Sequence, residues 1–310
     1  MAHSERKRGD ISGVRYGSNS VNFLVFQILS RYSKSQDKSI FLYVWISNYQ
    51  PFLKVLLTFF KDLKEQEMQT AHPLTQVLSR MTNYLSQDFL GGPRMLKMAW
   101  VINFQKFGTF FFVLGLMYFY DNFRTASWVY LSLHGTYGFC WLLKHCVNPD
   151  PRWETRITFG GGLMSFLLVL GPYWSFPFIL ISDVLGPEYE PVNAVGLCFA
   201  ICLHTLGLVI MIAADTQKYY TLKYRKGLIT EGMFRSIRHP NYLGEMMLYS
   251  SYAVVVGHWI PWVVLFWVWT SVFLINMLMK EASMSRYPEW EEYKKRSGML
   301  LPWKWLLGRF

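Results

Sequence analysis

The feature that most constrains this chain is a series of six apolar segments separated by short polar connections. They occupy residues 98–120, 126–147, 157–182, 193–214, 241–257 and 260–281. A helix needs about 20 predominantly apolar residues to cross the hydrocarbon core of a bilayer, and each segment approaches that length. The sequence therefore predicts an all-α integral membrane protein built as a bundle of about six transmembrane helices.

The composition agrees with this class. The chain is 52% hydrophobic and 18% aromatic, and only 16% of its residues are charged, against about 25% in soluble domains. The net charge of +11 flanks apolar spans, which favours anionic lipid and phosphate over nucleic acid as partners. The four cysteines, Cys140, Cys146, Cys198 and Cys202, lie in or beside apolar segments, and we expect small core residues and no metal site.

Loop charges predict the orientation. The connections 148–156 and 215–240 and the tail from 282 carry Lys and Arg, whereas 183–191 carries three acids and no base. Cytosolic loops are enriched in Lys and Arg, so the basic loops and both termini of a six-span bundle are expected on the cytosolic side.

Residues 1–95 are predicted to form a separate N-terminal region in front of a membrane domain, residues 96–310. The first 20 residues are polar, without a cleavable signal peptide, which favours a cytosolic tail over a mitochondrial presequence. Residues 40–60 are predicted to form an interfacial or broken helix, or alternatively a seventh crossing. A surface helix is expected around 62–88, followed by a turn at 91–93.

The stretch 215–245 is a polar, basic insertion between two apolar helices. Its cations are Lys218, Lys223, Arg225, Lys226, Arg235 and Arg238. Pro240 is suited to the first turn of the next helix, whose free N–H groups and dipole favour an anion. Asn241 and Glu245 are four residues apart and share a helix face. The stretch predicts a site for a large phosphorylated molecule at the membrane surface; a merely solvated cytosolic loop is the alternative.

Polar residues inside the apolar segments are further candidates for a site. His134 and His204 lie within spans, and ionisable residues in that position usually face the bundle interior. A polar stripe is predicted at His134, Tyr137, Trp141, Lys144 and His145. It either lines a cavity or joins helices through hydrogen bonds. Gly160–Gly162 are expected to allow close helix packing, and Pro172 and Pro177 to kink their helix. The charged segment 286–296 is expected either to lie at the lipid headgroups or to cover the 215–245 stretch.

Several of these strings resemble a known family. The pattern is Asp215-x-Gln217-Lys218, then Gly227-Leu228, Gly232-Met233-Phe234, Arg238-His239-Pro240-Asn241-Tyr242-x-Gly244-Glu245, Tyr287-x-x-Trp290-x-x-Tyr293 and Leu301-Pro302-Trp303. It is similar to the C-terminal domain of the steroid 5α-reductase superfamily, especially its uncharacterised membrane members, with sterol Δ14- and Δ7-reductases as cousins. The resemblance covers roughly residues 125–305.

The resemblance implies a cytosol-facing NADPH pocket and reduction of an activated C=C bond in a sterol, steroid or fatty enoyl lipid. It implies cofactor contacts from Asp215, Lys218, Arg238, His239, Asn241, Tyr242 and Glu245. Cations would neutralise the phosphates, and an amide or carboxylate would hold the carboxamide or ribose. The reaction also needs a proton donor, for which Tyr137 and His134 are the candidates.

Two other functions remain open. Isoprenylcysteine and phospholipid methyltransferases share the Arg-His-Pro-x-Tyr-x-Gly turn and bind S-adenosylmethionine there, but Glu245 and Asp215-x-Gln217-Lys218 favour a reductase. A non-catalytic structural or lipid-binding subunit of a membrane complex, docked through residues 1–95, is the third expectation. The resemblance implies the endoplasmic reticulum, with a mitochondrial membrane as the alternative.

Overall fold

The computed structural model describes residues 71–186 and 189–302, which lie within the compact unit Met68–Phe310. The predicted helix at 40–60 and the N-terminal tail lie outside the described residues. In the described part the chain is mostly helical, as predicted.

The first described helix, α1, confirms the surface helix for the part that is described. It covers Pro73–Asn83 and continues through a π-helical turn, Tyr84–Asp88. His72 caps it by accepting a hydrogen bond from the Leu74 N–H at 3.2 Å, and Pro73 suits the first turn because no N–H is needed there. Gly91 and Gly92 adopt positive φ in the predicted turn.

The remaining elements follow the six apolar segments. They are β1 (Leu96–Lys97), α2 (Met98–Phe119), α3 (Thr125–Val147), β2 (Arg156–Ile157), α4 (Phe159–Ser165), α5 (Ser175–Ile181), α6 (Ala194–Tyr224), α7 (Pro240–Val256), α8 (Trp259–Val268), α9 (Ile275–Met284) and α10 (Trp290–Arg296). The two short strands pair antiparallel, with Leu96 opposite Ile157.

The segment Phe159–Ile181 is continuous but irregular. Between α4 and α5 it passes through a π-helical turn, Phe166–Leu170, and a 3₁₀ turn, Gly171–Trp174. Pro172 lies in the 3₁₀ turn, where the N–H that proline lacks is not needed for an α-helical hydrogen bond. A kink at Pro172 or Pro177 stays a prediction. Trp269–Leu274 forms a similar π-helical turn between α8 and α9.

Within residues 71–186 and 189–302, four helices are long and apolar enough to cross a membrane. They are Met98–Phe119, Phe159–Ile181, Ala194–Tyr224 and Trp259–Met284. The other two predicted spans are helical, but α7 has only 17 residues and α3 carries more polar side chains. These are the two helices that supply most of the buried polar groups described below.

Contacts sort the connections into two groups. At one end Arg124 pairs with Asp183, and the Tyr189 hydroxyl donates to the Val256 carbonyl. At the other end, here called the basic end, Lys97 pairs with Glu154 at 2.6 Å and Asn148 bonds to Thr216 at 3.2 Å. The segments 148–156, 225–239 and 285–302 therefore share the basic end, in agreement with the predicted alternation.

The polar stretch that was predicted as a loop from 215 begins as helix. α6 runs ten residues past the predicted end of its span, to Tyr224, and the Arg225 N–H still bonds to the Thr221 carbonyl at 2.7 Å. Polar residues such as Gln217 and Lys218 are good helix formers, so polarity marks the end of the apolar span and not the end of the helix. Asp215 and Lys218 are thus held on a helix.

Helices α6 and α7 approach closely at two glycines. A Cβ on Gly207 would lie 2.7 Å from the Gly244 carbonyl oxygen, and one on Gly244 would lie 2.6 Å from that of Gly207. Small residues allow this approach between membrane helices. The contact fixes the height of Asp215 on α6 relative to Glu245 on α7.

The cysteine prediction is wrong for three of the four residues. Cys146, Cys198 and Cys202 are exposed, and Cys140 is half-buried. Their helices turn polar or bulkier residues such as His204 and Trp141 inward instead, so these cysteines lie on the outer surface of the bundle.

Candidate functional site

The turn that leads into α7 is closed by an ion-paired knot. The Arg238 Nε lies 2.6 Å from the Glu281 Oε1, and the His239 Nε2 lies 3.0 Å from the same oxygen. Arg238 also donates to the Ser297 carbonyl at 2.8 Å. Arg238, His239 and Glu281 are each less than a tenth exposed. Glu281 comes from the last turn of α9, so the knot joins the loop, the final span and the tail.

The tail covers this loop, in agreement with one of the two expectations for 286–296. The Tyr293 hydroxyl on α10 donates to the Phe234 carbonyl at 2.6 Å, and Trp290 lies under the Arg238 guanidinium. The backbone adds a short parallel bridge between Ile237 and Gly298. Because Trp290 and Tyr293 are fully buried, α10 packs on the protein.

Burial controls the charge of the histidine in this knot. Desolvation lowers the pKa of the His239 imidazole below its usual value, although the Glu281 carboxylate acts in the opposite direction. The usual pKa is about 6.5, so His239 is neutral at pH 7. Arg238 is therefore the cation that Glu281 neutralises.

Gln217 fixes the other side of the loop. Its side-chain oxygen accepts a hydrogen bond from the Met233 N–H at 2.8 Å, and its amide nitrogen donates to the Glu231 carbonyl at 2.9 Å. Gly232 has positive φ, and a Cβ added there would clash with the Gln217 amide, whose atoms would lie 2.6 Å away. The Gln217 of the sequence pattern thus holds the loop in place.

A group of mixed charges lies beside the knot at the basic end. Lys144 on α3 pairs with Asp215 on α6 at 2.6 Å. Lys280 on α9 donates to the Tyr242 hydroxyl at 3.1 Å and lies over its ring. Further cations act on Lys280 from α6 and from the 148–156 connection, namely Lys218 and Arg152. Three basic side chains therefore gather near Tyr242, together with the carboxylates of Asp215 and Asp150. Arg152 is exposed, and Lys218 and Lys280 are half-buried.

Glu245 connects this group to the interior of the bundle. It follows Asn241 by one turn of α7, as predicted, and is half-buried. The charges that act on it are those of Lys106, Lys144, Lys280 and Asp215. Glu245 thus lies between the mixed charges of the basic end and a lysine inside the bundle.

That lysine, Lys106, forms the center of a buried cluster. Its ammonium donates hydrogen bonds to the Tyr137 hydroxyl and, at 2.9 Å, to the Tyr249 hydroxyl. It also lies 4.2 Å from the centroid of the Trp141 ring. Lys106 is 4% exposed and lies about 12 Å along α2 from its first residue. Within the described residues it makes no ion pair with a carboxylate closer than 4.0 Å.

Two helix faces supply the surroundings of Lys106. On α3 the buried stripe comprises Tyr130, His134, Tyr137, Trp141 and Lys144. The predicted stripe is correct except at its end, because His145 turns away and pairs with Glu154 at 3.3 Å. The facing stripe on α7 is Glu245, Tyr249 and Tyr252, spaced by four and three residues.

His134 and His204 meet at the inner end of these stripes. The His134 ring stacks on Tyr252 with centroids 4.4 Å apart, and the Tyr252 hydroxyl lies 3.3 Å from the His204 Nε2. Tyr130 completes the group, 5.4 Å from Tyr252 between ring centroids. His134 and Tyr137 are neighbours, with ring centroids 6.1 Å apart.

The structure divides the residues predicted for cofactor binding. Asp215, Lys218, Tyr242 and Glu245 lie around the mixed charges, with Asn241 on the same turn as Tyr242. Arg238 and His239 belong to the knot. Sequence reasoning missed Lys106, Glu281 and Tyr249. A lysine inside an otherwise apolar span was the available signal for Lys106, since such residues are rare and usually functional.

Comparisons with known proteins bear on the second half of this site. Residues 156–299 match the model of a family described as "Protein of unknown function (DUF1295)", which is associated with steroid 5α-reductase-like membrane proteins. An uncharacterised protein of Schizosaccharomyces pombe is 37% identical over 49 residues, which is 16% of this chain and 18% of that protein. No solved structure matches. Residues 156–299 are therefore similar to this family, and α2 and α3, with Lys106 and Tyr137, precede the matched region.

Proposed function

We propose that the protein is an NADPH-dependent membrane reductase of a C=C bond in a lipid. In this proposal all six helical segments cross the membrane, the basic end faces the cytosol, and the endoplasmic reticulum is the expected location. The observation that carries the proposal is the buried Lys106–Tyr137–Tyr249 cluster. It lies next to Glu245, which separates it from the charged group at the basic end.

The cluster suits proton donation. Conjugate reduction delivers a hydride to one carbon of an activated C=C bond and a proton to the other, or first to the carbonyl oxygen. Tyr137 would give up its phenolic proton, and the Lys106 ammonium in contact with it would stabilise the phenolate that remains. Lys106 would then return a proton, replenished from solvent along Glu245. Burying an ammonium in an apolar bundle costs free energy, and residues of this kind are usually retained for a function.

The basic side chains near Tyr242 suit a dinucleotide. Lys218, Lys280 and Arg152 would meet the phosphates, because ammonium and guanidinium groups form strong charge-assisted hydrogen bonds with them. Asn241 and Tyr242 would orient the carboxamide or ribose. The bound dinucleotide would supply the hydride. Arg238 and His239 would act indirectly, by holding the turn through Glu281.

The same residues weigh against the methyltransferase alternative. S-adenosylmethionine has no phosphate, so the cations of this group would gain no charge-assisted hydrogen bonds to one. A non-catalytic subunit is favoured by one observation, the complete pairing of Arg238 within the knot. A non-catalytic role would leave the buried Lys106 cluster without an explanation.

Titration of the purified full-length protein in nanodiscs tests the proposal. We expect saturable NADPH binding and none with S-adenosylmethionine. Lys218→Gln should weaken NADPH about tenfold, the value of one charge-assisted hydrogen bond, whereas the exposed Lys223→Gln on the same helix should leave the affinity unchanged. Asn241→Ala should weaken binding without unfolding the bundle. Binding of S-adenosylmethionine alone would favour the methyltransferase. If neither compound binds, the structural subunit is favoured.

A second experiment tests the chemistry. Membranes that contain the protein are incubated with NADPH deuterated at the transferable hydrogen, and deuterium is followed into the lipid fraction by mass spectrometry. Tyr137→Phe should abolish incorporation while NADPH binding persists. Incorporation that survives this substitution would remove Tyr137 as the proton donor.

A further inference from the structure

Helix α1 and the π-helical turn that follows it present their large apolar side chains away from the protein. Five exposed side chains form this surface, here called the apolar face: Leu74, Val77, Leu78, Met81 and Tyr84. Successive members are one, three or four residues apart, so they lie on one side of the helix. A continuous apolar face is normally covered by other apolar groups, so its outward direction indicates a partner.

A second face of α1 holds it on the bundle. α1 packs against α9, and its residues with the least exposure are small: Thr75 is buried, and Ser79 and Thr82 are half-buried. Small side chains allow helices to approach closely in a membrane, where large apolar side chains can contact lipid instead. The distribution is therefore the reverse of the one expected for a helix on a soluble domain, whose apolar side would face the core.

The end of α1 is joined to the start of the candidate crossing Phe159–Ile181. The Gln87 carbonyl accepts a hydrogen bond from the Thr158 N–H at 2.9 Å, and the Ser165 hydroxyl donates to the Ser86 carbonyl at 3.4 Å. A Cβ added to Gly161 would lie 2.8 Å from the Ser86 carbonyl oxygen, so the two backbones are in close contact. Ser165 lies about 9 Å along this segment from its first residue. The contacts therefore place the end of α1 within the first ten or so ångströms of the crossing, at the basic end.

A third face of α1 is polar. Gln76, Arg80 and Asn83 are exposed, and Arg80 is the one charged residue of Pro73–Asn83. At about 100° per residue, the small, polar and apolar faces follow one another around the helix. A helix between a protein and water needs two kinds of surface. A helix that lies beside a bundle at the bilayer surface needs three, for protein, headgroups and hydrocarbon.

The crossing segment joined to α1 has its own apolar outer surface. Phe159, Leu163 and Leu167 are spaced by four residues, and they are 74%, 46% and 55% exposed. Leu90, in the turn that follows α1, is 78% exposed. The apolar face of α1 thus adjoins apolar side chains that meet lipid when Phe159–Ile181 crosses the membrane.

We propose that α1 lies in the bilayer leaflet at the basic end, with its apolar face in contact with lipid hydrocarbon and its polar face toward the headgroups. Interfacial helices bury their apolar side about 5–10 Å below the headgroup boundary, which agrees with the depth of the Ser165 contact. α9, on which α1 packs, carries Lys280 and Glu281. The bilayer contact would therefore support the helix that serves both the mixed charges and the knot. The assignment does not depend on the reductase activity.

Fluorescence quenching in phosphatidylcholine nanodiscs tests the assignment. The full-length protein, with its four native cysteines replaced by alanine, carries one bimane probe at Leu74→Cys, Val77→Cys or Met81→Cys. Gln76→Cys and Asn83→Cys are the matched controls on the polar face. Brominated acyl chains should quench the apolar-face probes at least about threefold more strongly than the polar-face probes, and aqueous iodide should show the reverse preference.

Two results would overturn the assignment. Equal access of iodide to both faces would make α1 a helix exposed to water. Apolar-face probes that are protected from both quenchers would indicate a protein cover, such as residues 40–60 or a second copy of the chain.

A charge on the apolar face gives a second measurement. Met81→Asp should lower bromolipid quenching at Val77→Cys by at least about threefold, because an aspartate is costly in hydrocarbon. Asn83→Asp adds the same charge to the polar face and should leave the quenching unchanged. A probe at Leu163→Cys, measured in both backgrounds, shows whether the bundle is intact. Equal quenching at Val77→Cys in the two variants would contradict the assignment. Since no NADPH is present, a failed cofactor titration is a separate result.

Discussion

Two buried cations in this protein have opposite surroundings. Arg238 is met by the Glu281 carboxylate at 2.6 Å and by the Ser297 carbonyl at 2.8 Å, close to the surface of the basic end. Lys106 lies deeper, and among the described residues its ammonium contacts two phenol oxygens and aromatic rings. The first cation has every partner that a structural ion pair requires. The second has partners that themselves can exchange protons, which is why we assign the chemistry to Lys106 and the architecture to Arg238.

The largest effect is expected when the acid of the knot is removed. Glu281→Gln keeps the shape but leaves the Arg238 guanidinium buried without its counterion, which should cost about 3–5 kcal/mol in the free energy of unfolding. Denaturant titration in detergent micelles measures this. Glu231→Gln, which breaks the exposed pair with Arg225, is the control and should cost no more than about 1 kcal/mol. Equal losses in the two variants would contradict the structural role of the knot.

A smaller effect is expected at the helix contact that separates the two cations. Gly244 lies on α7 between His239 and Tyr249, and Gly244→Ala would force a methyl group against the Gly207 carbonyl, at a cost of about 1–3 kcal/mol. Gly115→Ala on α2 is the matched control, because no atom lies within 4 Å of the added carbon. It should be neutral or stabilise by less than about 1 kcal/mol. A neutral Gly244→Ala would show that α6 and α7 separate freely.

Acidification tests the neutral histidine of the knot. Because burial lowers the pKa of His239, the unfolded chain binds the proton more readily than the folded protein between the folded-state pKa and the usual value near 6.5. Stability contributed by this group is complete above about pH 6.5 and is lost as the pH falls through the lowered pKa. The slope should be at most about 1.4 kcal/mol per pH unit. His239→Gln should remove that part of the pH dependence; an identical slope in the variant would assign it to other groups.

The smallest effect on stability is expected at the second cation. Lys106→Met removes the charge itself, and the Tyr137 and Tyr249 hydroxyls can bond to each other, so the free energy of unfolding should change by less than about 1 kcal/mol or rise. Transfer of deuterium from NADPH to lipid should nevertheless fall by at least about a hundredfold, as expected for loss of a proton donor's support. A loss of stability comparable to that of Glu281→Gln would make Lys106 a structural residue as well.

The helices were predictable because their periods and lengths are local properties. α2, α3, α7 and the Phe159–Ile181 segment begin and end within two residues of the predicted bounds. α6 was missed at its end because nothing in Asp215–Tyr224 opposes a helix once the apolar run has finished. The cysteines were misplaced because a small apolar residue fits the lipid-facing surface as well as the core.

The site was harder to predict because its pairings are long-range. Glu281 meets Arg238 across 43 residues, and Lys106 meets Tyr249 across 143. The string around Arg238 is distinctive, yet no local pattern shows that its guanidinium is already paired by the protein. Lys106 was visible as a lone cation in an apolar span, but its two tyrosine partners come from helices whose order in space the sequence does not state.

The knot also sets an order of assembly. Arg238 finds its carboxylate 43 residues later and its carbonyl 59 residues later, in the last part of the described chain. During synthesis the helices that precede Arg238 are therefore complete before its guanidinium has its partners. A chain that ended before Glu281 would lack this carboxylate, and Arg238 would remain without its counterion.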